Sequence, residues 1–183
     1  MAVTDWWPEA RVLTSPNQDA RPAGQAPELI VVHAISLPPG EFGGPHVAAL
    51  FRNQLDPAAH PYFAGIAQLR VSAHVLIDRR GQSTQFVPFT RRAWHAGRSQ
   101  WHGRERCNDF SIGIELEGTD EQSFTEVQYA ALARLIGWLR VAFPSLGRDA
   151  LVGHSDIAPG RKTDPGPHFD WAHLGTHLQE TTG

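Results

Sequence analysis

The chain has 183 residues, enough for one domain that buries a full core without a disulfide or metal to hold it together. Sixteen Lys and Arg face nineteen Asp and Glu, a net charge of −3, so no global basic field exists to grip nucleic acid or an anionic membrane. The single cysteine, Cys107, excludes an intrachain disulfide and a cysteine-based zinc finger, and no stretch reaches the ~18 apolar residues of a membrane span.

Residues 1–28 carry Pro8, Pro16, Pro22 and Pro27 and are expected to form an irregular lead-in, packed on the surface through Trp6 and Trp7. The opening residues hold Asp5 and Glu9 and no apolar run of signal-peptide length, so a soluble cytoplasmic protein is expected. Residues 29–35, LIVVHAI, are a β-branched apolar run, the pattern of a strand buried on both faces. His33 falls near its C-terminal end. Residues 45–54 predict a helix, with Pro45 at the first helical position and Val47, Leu50, Phe51 and Leu55 at helical spacing. Residues 71–78 and 82–88 flank Arg79-Arg80-Gly81 and predict a β-hairpin. Residues 90–109, rich in Trp, His, Arg and Gly, read as a long functional loop.

From Phe110 to Glu117 the chain alternates. Ile112, Ile114 and Leu116 share one face; Ser111, Gly113, Glu115 and Glu117 share the other. Residues 125–143 predict a helix opened by the capping box Thr125/Gln128 and stopped by Pro144. Its apolar stripe is Val127, Leu132, Leu135, Ile136, Leu139 and Phe143. Residues 151–153 are a brief strand ended by His154, 155–168 a loop, and Asp170 the cap of a C-terminal helix. The fold expected is α/β: a single domain with a central mixed β-sheet flanked by α-helices.

Two of the ten histidines, His33 and His154, end strands, where ligands gather in open α/β sheets. Asp164 follows ten residues after His154. Two imidazoles and a carboxylate leave a fourth position open, as catalytic zinc requires. Spacing alone leaves other readings open: satisfied core histidines, or a redox iron on the same ligands. Periodicity does not separate Glu115 from Glu117 as a catalytic carboxylate. His74 reads as structural and Cys107 as a buried filler.

Several segments carry more specific information: Val31-Val32-His33, residues 37–43 (LPPGEFG), His60-Pro61-Tyr62-Phe63, Val71-Ser72-Ala73-His74, residues 92–97 (RAWHAG), residues 103–120 (GRERCNDFSIGIELEGTD) and residues 161–167 (RKTDPGP). Together they resemble the N-acetylmuramoyl-L-alanine amidase family, especially its bacterial members that act on 1,6-anhydro-muropeptides. Phage amidase-lysozymes and animal peptidoglycan recognition proteins belong to the wider family. The resemblance spans residues 29–171 and is strongest in the loops.

The resemblance implies a zinc amidase domain at 29–183, with one Zn2+ held by His33, His154 and Asp164. It implies Glu115 as the general base and Lys162 as the cation near the oxyanion. Arg70, Trp94, His95 and Arg106 are the expected substrate contacts, with Arg104 beside them; arginine forks match carboxylates of a stem peptide. The implied reaction cleaves the amide between the lactyl group of anhydro-N-acetylmuramic acid and L-Ala. That places the chain in cytoplasmic peptidoglycan recycling and thereby in control of β-lactamase induction. A monomer with a muropeptide substrate and no nucleic-acid or membrane partner is expected. Ala34, Ser155 and Gly160 depart from the family pattern, where Asn, Cys and Glu are common. Competing readings are a muropeptide-binding module without turnover and an amidase of the intact wall.

Overall fold

The structure is a computed structural model and describes residues 5–180. Its elements are β1 (Arg11–Val12), β2 (Gln18–Ala20), β3 (Leu29–Ile35), α1 (His46–Phe51), β4 (Val75–Ile77), β5 (Ser83–Gln85), β6 (Arg91–Ala93), β7 (Gln100–Trp101), β8 (Arg104–Glu105), β9 (Ser111–Glu117), α2 (Glu126–Ala142), β10 (Leu151–Gly153), α3 (His154–Ile157) and α4 (Trp171–Glu180). Six strands form one sheet in the order β1-β5-β4-β9-β3-β10. Only β4 and β5 pair antiparallel; the other neighbours are parallel, so the sheet is mixed as expected. Two small antiparallel pairs, β2–β6 and β7–β8, lie apart from it.

β3 and β9 form its centre because both are buried on two faces. On one face Ile30, Val32, Ile112, Ile114 and Leu116 meet Leu132, Leu135, Ile136 and Leu139 of α2 and Leu174 of α4. Each such side chain contributes roughly 1.5–3 kcal/mol when fully buried. The α2 capping box forms as the sequence predicts: Thr125 Oγ1 accepts from the Gln128 N–H, and Gln128 Oε1 accepts from the Thr125 N–H. On the other face Leu29 and Val31 pack with Phe110, Val152 and Ile157, while α1 covers Phe63 and Phe86.

Several expectations change. The lead-in is not wholly irregular: β1 extends the main sheet along β5, and β2 pairs with β6. Trp7 enters the α2 core at 3% exposure, its N–H donating to Gln85 Oε1 at 2.7 Å. The first hairpin strand is only three residues long. The segment 90–109 contains β6, β7, β8 and a 3₁₀ turn at Cys107–Asp109. Pro45 caps α1 instead of opening it. Val127 is 49% exposed, whereas Gln128 is buried because its amide also donates to Glu117 O at 2.9 Å. Residues 155–157, expected as the start of a loop, belong to α3.

Candidate active site

Strand register assembles the site. His33 on β3 pairs with Glu115 on β9. On the other side of β3, Gly153 of β10 pairs with Val32, so His154, one residue on, comes level with His33. The three parallel strands thus deliver two imidazoles and a carboxyl group to one sheet edge at their carboxyl ends, where such sheets bind ligands. The alternation that sends Ile112 and Ile114 to α2 sends Glu115 to the opposite face.

Asp164 reaches the same point through a folded loop. The N–H groups of Arg161 and Lys162 donate to Ala158 O, and the Ser155 N–H donates to Asp164 O at 3.0 Å. Gly160, one of the departures from the family pattern, sits at φ 75°, a conformation that suits glycine. Leu37–Pro38 and Asp164–Pro165 are cis.

The three side chains converge on one point. His33 Nδ1 lies 2.9 Å from His154 Nδ1; Asp164 Oδ2 lies 3.0 Å from His154 Nδ1 and 3.2 Å from His33 Nδ1. Those near-equal edges match one face of a tetrahedron around a metal with zinc-like bonds, about 3.3 Å on an edge. The donor set, two nitrogens and a carboxylate oxygen, suits zinc. Behind it, His33 Nε2 lies 2.8 Å from His95 Nδ1, and His154 Nε2 lies 3.2 Å from Ala96 O.

The local electrostatics follow from burial. Burial pushes the His33 imidazolium down to about 4, against hydrogen bonding from Asp164. Burial alone would raise Asp164, but the His154 and His33 rings beside it outweigh burial and hold the carboxyl well below its usual range. Glu115 is pushed well above the carboxylate range by burial and by the Asp164 charge, with Lys162 opposing. Glu115 Oε2 is buried without a hydrogen-bond partner, so a polar atom is left facing the cleft.

Glu117, its neighbour on the same face, is differently employed. Its Oε1 accepts from the Gly43 N–H and its Oε2 from the Arg79 N–H at 3.1 Å. The two glutamates, alike in periodicity, thus differ in their bonding: Glu117 ties two loops together, whereas Glu115 Oε2 has no hydrogen-bond partner.

The triad, Glu115 and Lys162 line one cleft of about 550 Å³, with Trp94 and His95 on its wall. A larger cavity of about 690 Å³ beside α1 and β5 contains none of the triad and no comparable convergence of ligand atoms. Arg70 does not line the cleft; it is exposed, between Leu69 and Val71 which do, and its guanidinium donates to Gln68 O. Arg106 is not brought to the cleft. It lines a separate depression with Arg98 and Arg161 and pairs with Asp109 at 3.3 Å. Arg104 is likewise engaged elsewhere, with Glu28 and over the Phe110 ring. Sequence reasoning did not single out Tyr62, which lines the cleft at 47% exposure, although it stands in the quoted segment His60–Phe63.

Convergent ligand atoms, a partnerless buried carboxyl group and a lysine at one cleft fit a hydrolase on an α/β scaffold. The sequence profile described as N-acetylmuramoyl-L-alanine amidase matches residues 23–167, and the chain belongs to that family. It is 60% identical over 167 residues to the 1,6-anhydro-N-acetylmuramyl-L-alanine amidase AmpD of Citrobacter freundii, covering 91% of this chain and 89% of that protein. The crystal structure of a selenomethionine AmpD derivative superposes with a TM-score of 0.93 at 58% identity, covering 96% of this chain and 97% of that one. The amidase AmiD of E. coli, solved with anhydro-N-acetylmuramic acid-L-Ala-D-γ-Glu-L-Lys, matches at a TM-score of 0.61 and 28% identity, over 86% of this chain and 60% of that one.

Proposed function

We propose that the chain hydrolyses the amide between the lactyl group of 1,6-anhydro-N-acetylmuramic acid and L-Ala in cytoplasmic muropeptides. The reaction serves peptidoglycan recycling and, through the muropeptide pool, control of β-lactamase induction. The observation that carries this reading is the meeting of His33 Nδ1, His154 Nδ1 and Asp164 Oδ2 beside the unpartnered Glu115. The activity named for the relative that is 60% identical supports the anhydro sugar.

His33, His154 and Asp164 would hold one Zn2+, which when bound supplies Lewis-acid polarisation and a water of lowered pKa. Glu115 takes the proton of the attacking water. Its raised pKa makes the carboxylate a stronger base for that proton, and the acid so formed returns it to the leaving amine. Lys162, a compact point charge, balances the negative charge developing on the amide oxygen. Trp94 and Tyr62 wall the bound muropeptide, and we assign its carboxylates to Arg70, which stands between the cleft-lining Leu69 and Val71. The protein acts as a monomer. No helix among the described residues is long and apolar enough to cross a membrane.

Parallel incubation of the zinc-loaded protein with soluble anhydro-muropeptides and with intact sacculi tests the substrate class. Peptide release from the soluble substrate alone is expected. Release from sacculi alone would make the chain a wall amidase instead.

A further inference from the structure

The dipeptide His95–Ala96 touches both metal-ligand histidines from behind. His33 Nε2 meets the His95 side chain at 2.8 Å, and His154 Nε2 meets Ala96 O at 3.2 Å. Asn108 fixes this dipeptide: its Oδ1 accepts from the His95 N–H at 3.1 Å and from the Ala96 N–H at 2.8 Å. Arg161, beside Lys162, donates to the same Ala96 carbonyl at 2.7 Å.

The acceptor-only carbonyls imply one proton order for neutral histidines in this network. Ser111 Oγ lies 2.6 Å from Cys107 O, a carbonyl that only accepts, so the single hydroxyl proton goes there. Ser111 must then accept from His95 Nε2, 3.0 Å away. A neutral His95 protonated at Nε2 carries its lone pair at Nδ1 and accepts from His33 Nε2. His33 is left with a lone pair at Nδ1. By the same logic Ala96 O, also an acceptor only, takes the proton of His154 Nε2 and leaves a lone pair at His154 Nδ1. Both lone pairs point at the Asp164 oxygen, and the site presents three acceptors to one cation.

The His95 ring has room because residue 113 is glycine. A Cβ at Gly113 would lie 2.3 Å from His95 Cγ, closer than side-chain carbons approach. That glycine stands opposite Val31 in the centre of the sheet.

We propose that His95 and Asn108 are positioning residues that set the tautomers and aim of both metal-ligand histidines, His95 through its ring and Asn108 through the dipeptide backbone. His95 thus acts through His33, although it was expected to contact substrate. The inference deepens the proposed function and rests on the triad as a zinc site. Its chain of partners is Cys107 O, Ser111, His95 and His33 on one side, and Asn108, Ala96 and His154 on the other.

The test measures zinc affinity by competition with a chromophoric chelator in the full-length protein, with the cobalt(II) absorption spectrum as a second readout. His95→Leu removes the acceptor; His95→Asn keeps one at the δ position. Removing an outer-shell partner of a metal-ligand histidine costs about 10–100-fold in metal affinity. His95→Leu is expected to lose affinity on that scale and to alter the cobalt spectrum, with His95→Asn recovering much of both. At saturating zinc, KM for the anhydro-muropeptide should stay near the wild-type value.

Ser111→Ala and Asn108→Ala leave the His95 ring in place and keep the inference testable should His95→Leu not fold. Each is expected to weaken zinc binding severalfold. Wild-type zinc affinity in the His95 and Asn108 variants, with KM raised in His95→Leu, would overturn the inference and make His95 a substrate contact. Absence of zinc binding by the wild-type chain would overturn both the inference and the functional reading beneath it.

Discussion

The Nδ1 atoms of His33 and His154 lie 2.9 Å apart and share the Asp164 Oδ2 atom as a third neighbour. Two imidazole acceptors at that distance repel unless a cation or a proton lies between them. Burial disfavours a second ring proton on His33. The divalent cation proposed above would relieve that repulsion, and the following outcomes depend on it.

Glu115→Gln should keep zinc and lose turnover. The substitution preserves shape but removes the group that moves the proton. A general base contributes about 10²–10⁴-fold, and kcat should fall within that range. Metal analysis of the same sample establishes that the loss is chemical. Near-normal kcat would remove Glu115 from the mechanism.

Glu117→Ala should behave in the opposite way. Its carboxylate accepts from Gly43 and Arg79 across the sheet edge. Truncation leaves those N–H groups unsatisfied, costing roughly 1–3 kcal/mol for each that stays buried. Thermal unfolding should show a lower Tm, while kcat of the remaining folded enzyme changes far less than in Glu115→Gln. Equal losses of kcat in the two variants would contradict the division of roles.

Glu115 also gives the metal-free protein a pH signature. Its folded pKa lies well above the ordinary 4.5, so above that pH the folded state keeps a proton the unfolded chain releases. Stability from this group falls as pH rises, by up to about 1.36 kcal/mol per pH unit, until the folded pKa is passed. His33 works against it: with a folded value of about 4 against 6.5, stability rises with pH between those values and is level above. The two oppose each other from about pH 4.5 to 6.5. Comparing metal-free wild type with metal-free Glu115→Gln isolates the glutamate, because both retain His33. The Tm advantage of the variant should grow as pH rises above 4.5; a constant difference would contradict the raised pKa.

Gly153→Ala should weaken zinc binding without touching a ligand. A Cβ there would lie 2.8 Å from Pro165 Cδ, and Pro165 follows Asp164 directly. The displaced proline carries the third ligand with it. A chelator competition should show lower affinity, and unchanged affinity would show that the loop absorbs the methyl group.

Much of this site is written locally in the chain. LIVVHAI can only be a buried strand, which puts His33 at its end; the alternation after Phe110 separates the Ile112 face from the Glu115 face. What separates Glu115 from Glu117 is long-range: the partners of Glu117 are 74 and 38 residues away, and no period in β9 reports them. β1 and β2 are two and three residues long, too short for a period, and they form because the sheet edge and β6 offer them partners. Val127 has the spacing of the apolar stripe, yet the capping box and the Glu117 carbonyl turn Gln128 inward and leave Val127 at the surface. An arginine-rich loop says nothing of which guanidinium faces which depression, and Arg106 lines one apart from the cleft.

The most direct test of the central claim is mass-detected chromatography of an anhydro-muramyl tripeptide incubated with zinc-loaded protein, beside a chelator-treated sample. Free tripeptide and anhydro sugar are expected from the first and none from the second, with activity restored when zinc is added back. Intact substrate after incubation with verified zinc-bound protein, or equal cleavage in the chelated sample, would contradict the claim.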